Sequence, residues 1–369
     1  MATILQFGTG KFLRAFADLF VHERNQTAPQ QTQVVAIQST GSDRVTRLVA
    51  QQGRYHVALR GLEAGQPVDQ VFQVQSIGRA LAATEQWAEV LQVGQSERLA
   101  AIVSNTTEAG YALDLADRFS FSQPPRSFPA KLLAVLHARF EAGLPGVTIL
   151  PCELLERNGP RLCELVCEQA ERWALPSCLV DWLRSACMWR STLVDRIVAA
   201  PKPDDPLATQ DPLFAVAEPF ALWLIEGAGV VPVFEGHEAV ERVEDLTPYQ
   251  VRKVRILNGA HTALVAKALP LGFQTVRQAV LDPQIGRWLE QLLFEEVVPT
   301  LEGRTDQPAP FARQCLERFA NPFIEHRLAD IALAHDTKLR TRLLPTYHEF
   351  RTRFGRTPRL LAEVLAGLV

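Results

Sequence analysis

The stretch Thr3-Ile4-Leu5-Gln6-Phe7-Gly8-Thr9-Gly10-Lys11-Phe12-Leu13-Arg14 decides the fold. Thr3 to Phe7 is a short apolar run of strand length, and the glycine turn Gly8-Thr9-Gly10 follows at once. From Phe12 to His22 the residues Phe12, Phe16, Leu19 and Phe20 recur at helical spacing, which predicts one helix there. Strand, glycine turn and helix start bring backbone N–H groups and the positive end of a helix to one place, which suits a pyrophosphate. The glycine pattern is partial. Gly8 and Gly10 fill the first two positions of G-x-G-x-x-G, while the third holds Leu13.

The next strand, Val34 to Gln38, should end beside an adenosine ribose, yet no acidic residue stands at its tip. The loop runs Ser39-Thr40-Gly41-Ser42-Asp43-Arg44, so Asp43 is the candidate for ribose hydroxyls and Arg44 for a 2′-phosphate. Ala100 to Val103 is an apolar strand running into Ser104-Asn105-Thr106-Thr107-Glu108, polar residues at the strand end where open α/β sheets bind ligands. Gly8, Thr9, Gly10, Phe12, Asp43, Asn105, Thr106 and Glu108 are therefore the candidate coenzyme contacts. A capped loop with Glu108 in solvent is the alternative for the last of them.

Further strands are expected at Tyr55–Leu59, Val71–Ile77, Val147–Leu150, Leu193–Val198, Val216–Ile225 and 230–234, with helices at Thr84–Leu91, Phe128–Phe140 and on to Trp173. From Thr247 onward the pattern is helical almost throughout, including a segment Phe323–Ala334. The expectation is an α/β chain of two domains. A Rossmann-like nucleotide domain would cover residues 1–240 and a mostly helical domain residues 241–369, with a catalytic cleft between them.

That helical half opens with Lys253-Val-Arg-Ile-Leu-Asn258-Gly-Ala-His261. On a regular α-helix, Lys253, Asn258 and His261 span an arc of about 140°. A buried amine beside other cations has a lowered pKa and can exchange a proton with an alcohol. An amide can donate to the oxygen as charge gathers on it, and an imidazole can hold a neighbouring group. The plain alternative is an amphipathic core helix with a snorkelling lysine.

Composition narrows the classes. A chain of 369 residues, 47% hydrophobic and 21% charged, is long enough for two cores. Its net charge of −3, with no basic run, offers no footprint for nucleic acid. No stretch is long and apolar enough to span a bilayer, and a cytoplasmic protein is expected. The six cysteines lack a CxxC pair, so reduced thiols are expected rather than a disulfide or zinc framework.

With these pieces in place the sequence resembles the polyol-specific long-chain dehydrogenases, the mannitol dehydrogenase family, and within it the tagaturonate-reducing branch. Lys253, Asn258 and His261 match the family signature of Lys, four residues, Asn, two residues, His. ILQFGTGKFLRAF from Ile4, SNTTEAGY from Ser104, LPCELLERNG from Leu150, TLVDRIV from Thr192 and RFANPFIEHRL from Arg318 extend the likeness nearly end to end. The resemblance implies a metal-independent oxidoreductase using NAD, with NADP left open, on a small sugar acid or polyol. Lys253 would be the general acid/base, Asn258 an oxyanion donor, and His261, Asp195 and Lys338 substrate contacts. A uronate also requires a cationic partner, for which Lys338, Arg327 and Arg342 are candidates.

The chain departs from mannitol dehydrogenases at three places. Leu154 stands where they carry a second oxyanion Asn, leaving Asn105 or Asn158 as the substitute. Gln250 replaces an acidic residue three before the lysine, and Ser191 replaces an Asn before the VDRI block. These changes bear on the substrate, expected to be tagaturonate/altronate, with fructuronate/mannonate or mannitol/fructose as alternatives and a non-catalytic sugar-acid-binding protein as the reading from another class.

Overall fold

The computed structural model describes every residue except 64, 107–109 and 230. The chain forms two compact units, residues 1–59 with 70–246 and residues 60–69 with 247–369.

In the first unit the strands begin with β1 (Ala2–Phe7), β2 (Thr32–Gln38), β3 (Tyr55–Glu63), β4 (Gln66–Val74), β5 (Ile77–Ala82), β6 (Leu99–Ser104), β7 (Thr148–Pro151) and β8 (Met188–Trp189). Six of them make one sheet in the order β5-β2-β1-β6-β7-β8, each neighbouring pair parallel. Counted along this sheet alone, that is the doubly wound order 3-2-1-4-5-6, which reverses between β1 and β6.

Both faces of the sheet are covered, which is why its strands read as continuous apolar runs. Ile4, Val34, Ala36, Ala101 and Val103 point into one core with Leu19, Phe20 and Trp223. The alternate residues Leu5, Phe7, Val35, Ile37 and Ile102 point into the other, with Leu132, Leu136 and Val166. The helices are α1 (Lys11–Arg14), α2 (Ala17–Thr27), α3 (Asp43–Ala50), α4 (Trp87–Gly94), α5 (Phe128–Glu141), α6 (Asn158–Arg172), α7 (Ser177–Ser185) and the short α8 (Pro206–Gln210).

The single helix expected over Phe12–His22 is broken at Ala15–Phe16. Two carbonyls at the break are taken from outside: Tyr55 Oη donates to Arg14 O at 3.1 Å and Arg196 Nη1 to Ala15 O at 2.9 Å. Arg196 also breaks the expected strands Leu193–Val198 and Val216–Ile225 into β9 (Thr192–Asp195), β10 (Val198–Ala199), β11 (Ala215–Ala217) and β12 (Leu222–Glu226). Its guanidinium donates to the carbonyls of Glu218, Pro219 and Phe220, and Ile197 N donates to the buried Glu218 carboxylate at 2.6 Å. The strand expected at 230–234 is a turn from Val231, with Phe234 N donating to Val231 O at 3.0 Å. The place beside β12 goes instead to β13 (Val240–Val243). Val71–Ile77, read as one strand, straddles the end of β4 and the start of β5, and the helix expected from Thr84 begins at Trp87.

The second unit is helical around Leu257, Leu264, Leu289, Leu292, Leu301 and Leu343. It opens with α9 (Thr247–Lys253) and α10 (Gly259–Ala268), joined by a π-turn over Val254–Asn258. The helix expected over Phe323–Ala334 is confined to Leu328–Ile331. Arg327 instead bridges to Thr275 in extended conformation, and Asn321 Oδ1 holds Phe323 N at 2.9 Å. The tip of the β3–β4 hairpin, residues 60–69, belongs to this unit. Asn321 Nδ2 donates to Arg60 O at 3.0 Å and Gly65 N to Glu317 Oε1 at 3.0 Å.

Candidate active site

Gly8 closes β1 with φ +131°, a conformation L side chains avoid, and a Cβ there would lie 3.0 Å from Leu13 Cδ1 and 3.2 Å from Asn105 O. Only glycine lets the two strand ends come this close. At Gly10 no atom lies within 4 Å of a Cβ position, so the backbone faces open space. Thr9 is buried and its hydroxyl has no hydrogen-bond partner among the described residues. A buried donor beside open backbone is a site for an oxygen-rich ligand, and this turn borders a groove of about 890 Å³ that Asn105, Thr106 and Gln38 also line.

The turn rests on a buried polar scaffold. Arg14 donates to Thr9 O at 2.5 Å and Leu213 O at 3.0 Å, and Gln6 Nε2 donates to Gly8 O at 3.1 Å and Asp18 Oδ2 at 3.3 Å. Tyr55 Oη reaches the same Asp18 oxygen at 3.3 Å. Burial pushes the Asp18 carboxyl up to about 7, and the Gln6 bond, the Arg14 charge and the Tyr55 bond offset that only in part. Leu13, in the third glycine position, fills core space against the turn.

Across the switch point, Asn105 Nδ2 donates to Cys152 O at 3.0 Å, and Thr106 donates through N and Oγ1 to Glu153 Oε1 at 2.8 and 3.1 Å. Ser104 and Tyr111 hold the other oxygen of Glu153, a buried carboxyl whose pKa desolvation raises. Nothing in sequence spacing pointed to Glu153 as the organiser of this loop; its membership of the LPCELLERNG block was the available signal. Glu108 lies outside the described residues.

Asn158, expected to touch substrate, is fully buried and spent on backbone. Its Nδ2 donates to Pro151 O, Glu153 O and Thr192 O at 3.0–3.1 Å, and its Oδ1 accepts from Thr192 N at 2.9 Å. The fully buried amide, both of its N–H groups spent on carbonyls, ties β7 to β9 and is not presented to a ligand. Leu154 is exposed, and Asp195 is buried at the end of β9 opposite Leu222. Phe12 stacks on Phe16 at 4.9 Å.

In the second unit, the π-turn changes the face on which the signature residues fall. A π-turn closes bonds between residues five apart, so it adds one residue without advancing the helix, and the residues beyond it swing back by roughly 100°. The arc of Lys253, Asn258 and His261 shrinks from about 140° to about 60°. Lys253 and Asn258, five apart, come onto one face. Gly259 follows directly, where a Cβ would lie 3.3 Å from Leu343 Cδ2.

Lys253 and His261 are buried, Asn258 is half-buried, and the Asn258 side-chain amide has no hydrogen bond among the described residues. Burial pushes the His261 pKa well below the usual imidazole value, and the charges of His326, Arg318, Arg342 and Lys253 push it further. The ring is therefore neutral near pH 7. It packs on Phe319 at 4.2 Å and edge-on to His326 at 4.7 Å, and its buried Nε2 has no partner among the described residues. Arg318 and His326 were missed as site residues, although both stand in the RFANPFIEHRL block. Arg342 Nη1 reaches Thr262 Oγ1 at 3.5 Å, Lys338 Nζ donates to Ile331 O at 2.7 Å, and Arg327 is exposed. No group of three or more His, Cys, Asp or Glu side chains suited to a metal occurs among the described residues.

The family model for the mannitol dehydrogenase Rossmann domain matches residues 2–233, and that for the mannitol dehydrogenase C-terminal domain matches residues 245–369. Altronate oxidoreductase of Bacillus subtilis (strain 168) is 38% identical over 380 residues, 99% of this chain and 78% of that protein. Altronate oxidoreductase of Yersinia pestis is 40% identical over 381 residues, 99% of this chain and 79% of that protein. Among solved structures, D-sorbitol dehydrogenase in substrate-free form superposes with TM-score 0.83 at 22% identity, covering 98% of this chain and 80% of that one. The ternary complex of Pseudomonas fluorescens mannitol 2-dehydrogenase with NAD and D-mannitol gives TM-score 0.81 at 22% identity, covering 99% and 78%. At that identity the two structures speak to the fold.

Proposed function

The chain belongs to the mannitol dehydrogenase family, and from that premise we propose that it is an NAD-dependent oxidoreductase interconverting a ketouronate and its sugar acid, tagaturonate and altronate. The relatives named altronate oxidoreductase support the substrate. The observation that carries the chemistry is the helix face shared by the buried Lys253 and His261 and the half-buried Asn258.

Gly8, Thr9, Gly10, Asn105 and Thr106 would hold the dinucleotide: the unpartnered Thr9 hydroxyl and the open backbone at Gly10 fit its phosphates. When bound, the nicotinamide supplies the hydride in reduction and accepts it in oxidation. Lys253 Nζ gives its proton to the carbonyl oxygen as the alcohol forms and takes it back in the reverse direction. Asn258 donates its amide N–H to the oxygen as negative charge builds there, a contribution that grows toward the transition state. His261, kept neutral, offers Nε2 to a substrate hydroxyl without adding charge.

Arg318 and Arg342 act on the same small region as His261, and their charge favours an anionic substrate over a neutral ketose. The test is a panel of tagaturonate, fructuronate and fructose with NADH, followed at the nicotinamide absorbance band. Tagaturonate should be turned over with the highest kcat/KM. Preference for fructose would refute the uronate reading, and NADH binding with no turnover on any member would refute catalysis.

A further inference from the structure

We propose that the coenzyme groove accepts a 2′-phosphate, so that the chain takes NADPH as well as NADH. The inference rests on the coenzyme reading above and adds to it the chemistry of the ribose end.

Dinucleotide folds that select NAD place a carboxylate at the end of the second strand, where it holds the ribose hydroxyls and repels a phosphate; a nearby Arg does the opposite. Here β2 ends in Gln38, and its carboxamide is fully occupied. Oε1 accepts from Arg44 N at 3.0 Å and Val45 N at 3.1 Å, and Nε2 donates to Thr40 O at 2.9 Å and Asp43 Oδ1 at 2.6 Å. Gln38 therefore caps the start of α3 in place of gripping a ribose.

The nearest acid is turned to the same task. Asp43 is exposed, its Oδ1 accepts from Gln38 Nε2, and it is not among the residues lining the groove. This end of the groove is lined by Ser39, Thr40 and the guanidinium-bearing Arg44. Two hydroxyls and an arginine form a donor set for a phosphate monoester, and none of the three carries negative charge. Asp114 also lines the groove, but its carboxylate faces Arg126 at 3.9 Å. Asp43 beside Arg44 balances the local charge, which predicts weak discrimination between the coenzymes instead of a strict choice of NADPH.

Direct titration of tryptophan fluorescence with NADH and with NADPH, on the full chain, tests this. The wild-type Kd values should agree within about tenfold, and Arg44→Ala should raise the NADPH Kd at least about tenfold more than the NADH Kd. Ser39→Asp, which restores an acid at the strand tip, should shift the ratio toward NADH. A wild-type NADPH Kd more than about tenfold above that of NADH, or an Arg44→Ala variant that affects both alike, overturns the proposal. Failure of both coenzymes to bind would instead sink the coenzyme reading itself.

Discussion

Replacing Asp18 by Asn should flatten the pH dependence of the first unit's stability. The carboxyl has an ordinary pKa of 3.8 and is pushed to about 7 by complete burial beneath the glycine turn. A raised folded-state pKa means that its contribution is fully present below the unfolded value, is lost progressively as pH rises from about 4, and is gone above about 7. The gap between 3.8 and about 7 corresponds to about 4 kcal/mol between pH 4 and pH 8. The asparagine side chain keeps an oxygen to accept from Gln6 and Tyr55 but cannot ionise, so the variant lacks this loss. Urea unfolding followed by tryptophan fluorescence, with Trp223 buried in the same core, reads the effect at half-unit pH steps. The stability of the variant relative to wild type should climb by about 4 kcal/mol across that window. Parallel curves from pH 4 to pH 8 would show that the carboxylate is ionised in the folded protein, with Arg14 as its partner, and the reasoning would be refuted.

Lys253→Ala should lower turnover by about 10³-fold while NADH still binds, and unchanged turnover would remove the lysine from the proton transfer. Gly8→Ala forces a Cβ against Leu13 and Asn105 at φ +131° and should weaken NADH binding by ~10-fold or more; an unaltered Kd would show that the turn does not hold the coenzyme. Asn158→Ala takes the acceptor from the buried Thr192 N, while Pro151 O keeps Thr192 Oγ1 and Glu153 O keeps Leu155 N, and should cost about 2 kcal/mol, measured as a shifted urea midpoint. Chelators should leave activity intact, whereas activity abolished by chelation and restored by zinc would refute the lysine-based mechanism.

The glycine turn after β1, the polar strand end at Asn105 and the Lys253–Asn258–His261 spacing were legible in the sequence because each is a local pattern: a few residues whose types are dictated by a turn, a strand end or a helix face. The central strands were legible for the same reason, since burial on both faces leaves an unbroken apolar run. Tertiary structure decided the places where a side chain reaches backbone far away. Arg196 breaks the α1–α2 helix and two strands by taking carbonyls that periodicity assigns elsewhere, and Asn158 spends on Pro151, Glu153 and Thr192 an amide that the family resemblance offered to a ligand. Residues 60–69 join the helical unit through Glu317 and Asn321, more than 250 positions away. Even the signature helix was completed by context, because its residues set the spacing and the π-turn set the angle. Helix propensity is blind to that extra residue, and directly after it stands Gly259, where a Cβ would lie 3.3 Å from Leu343 Cδ2.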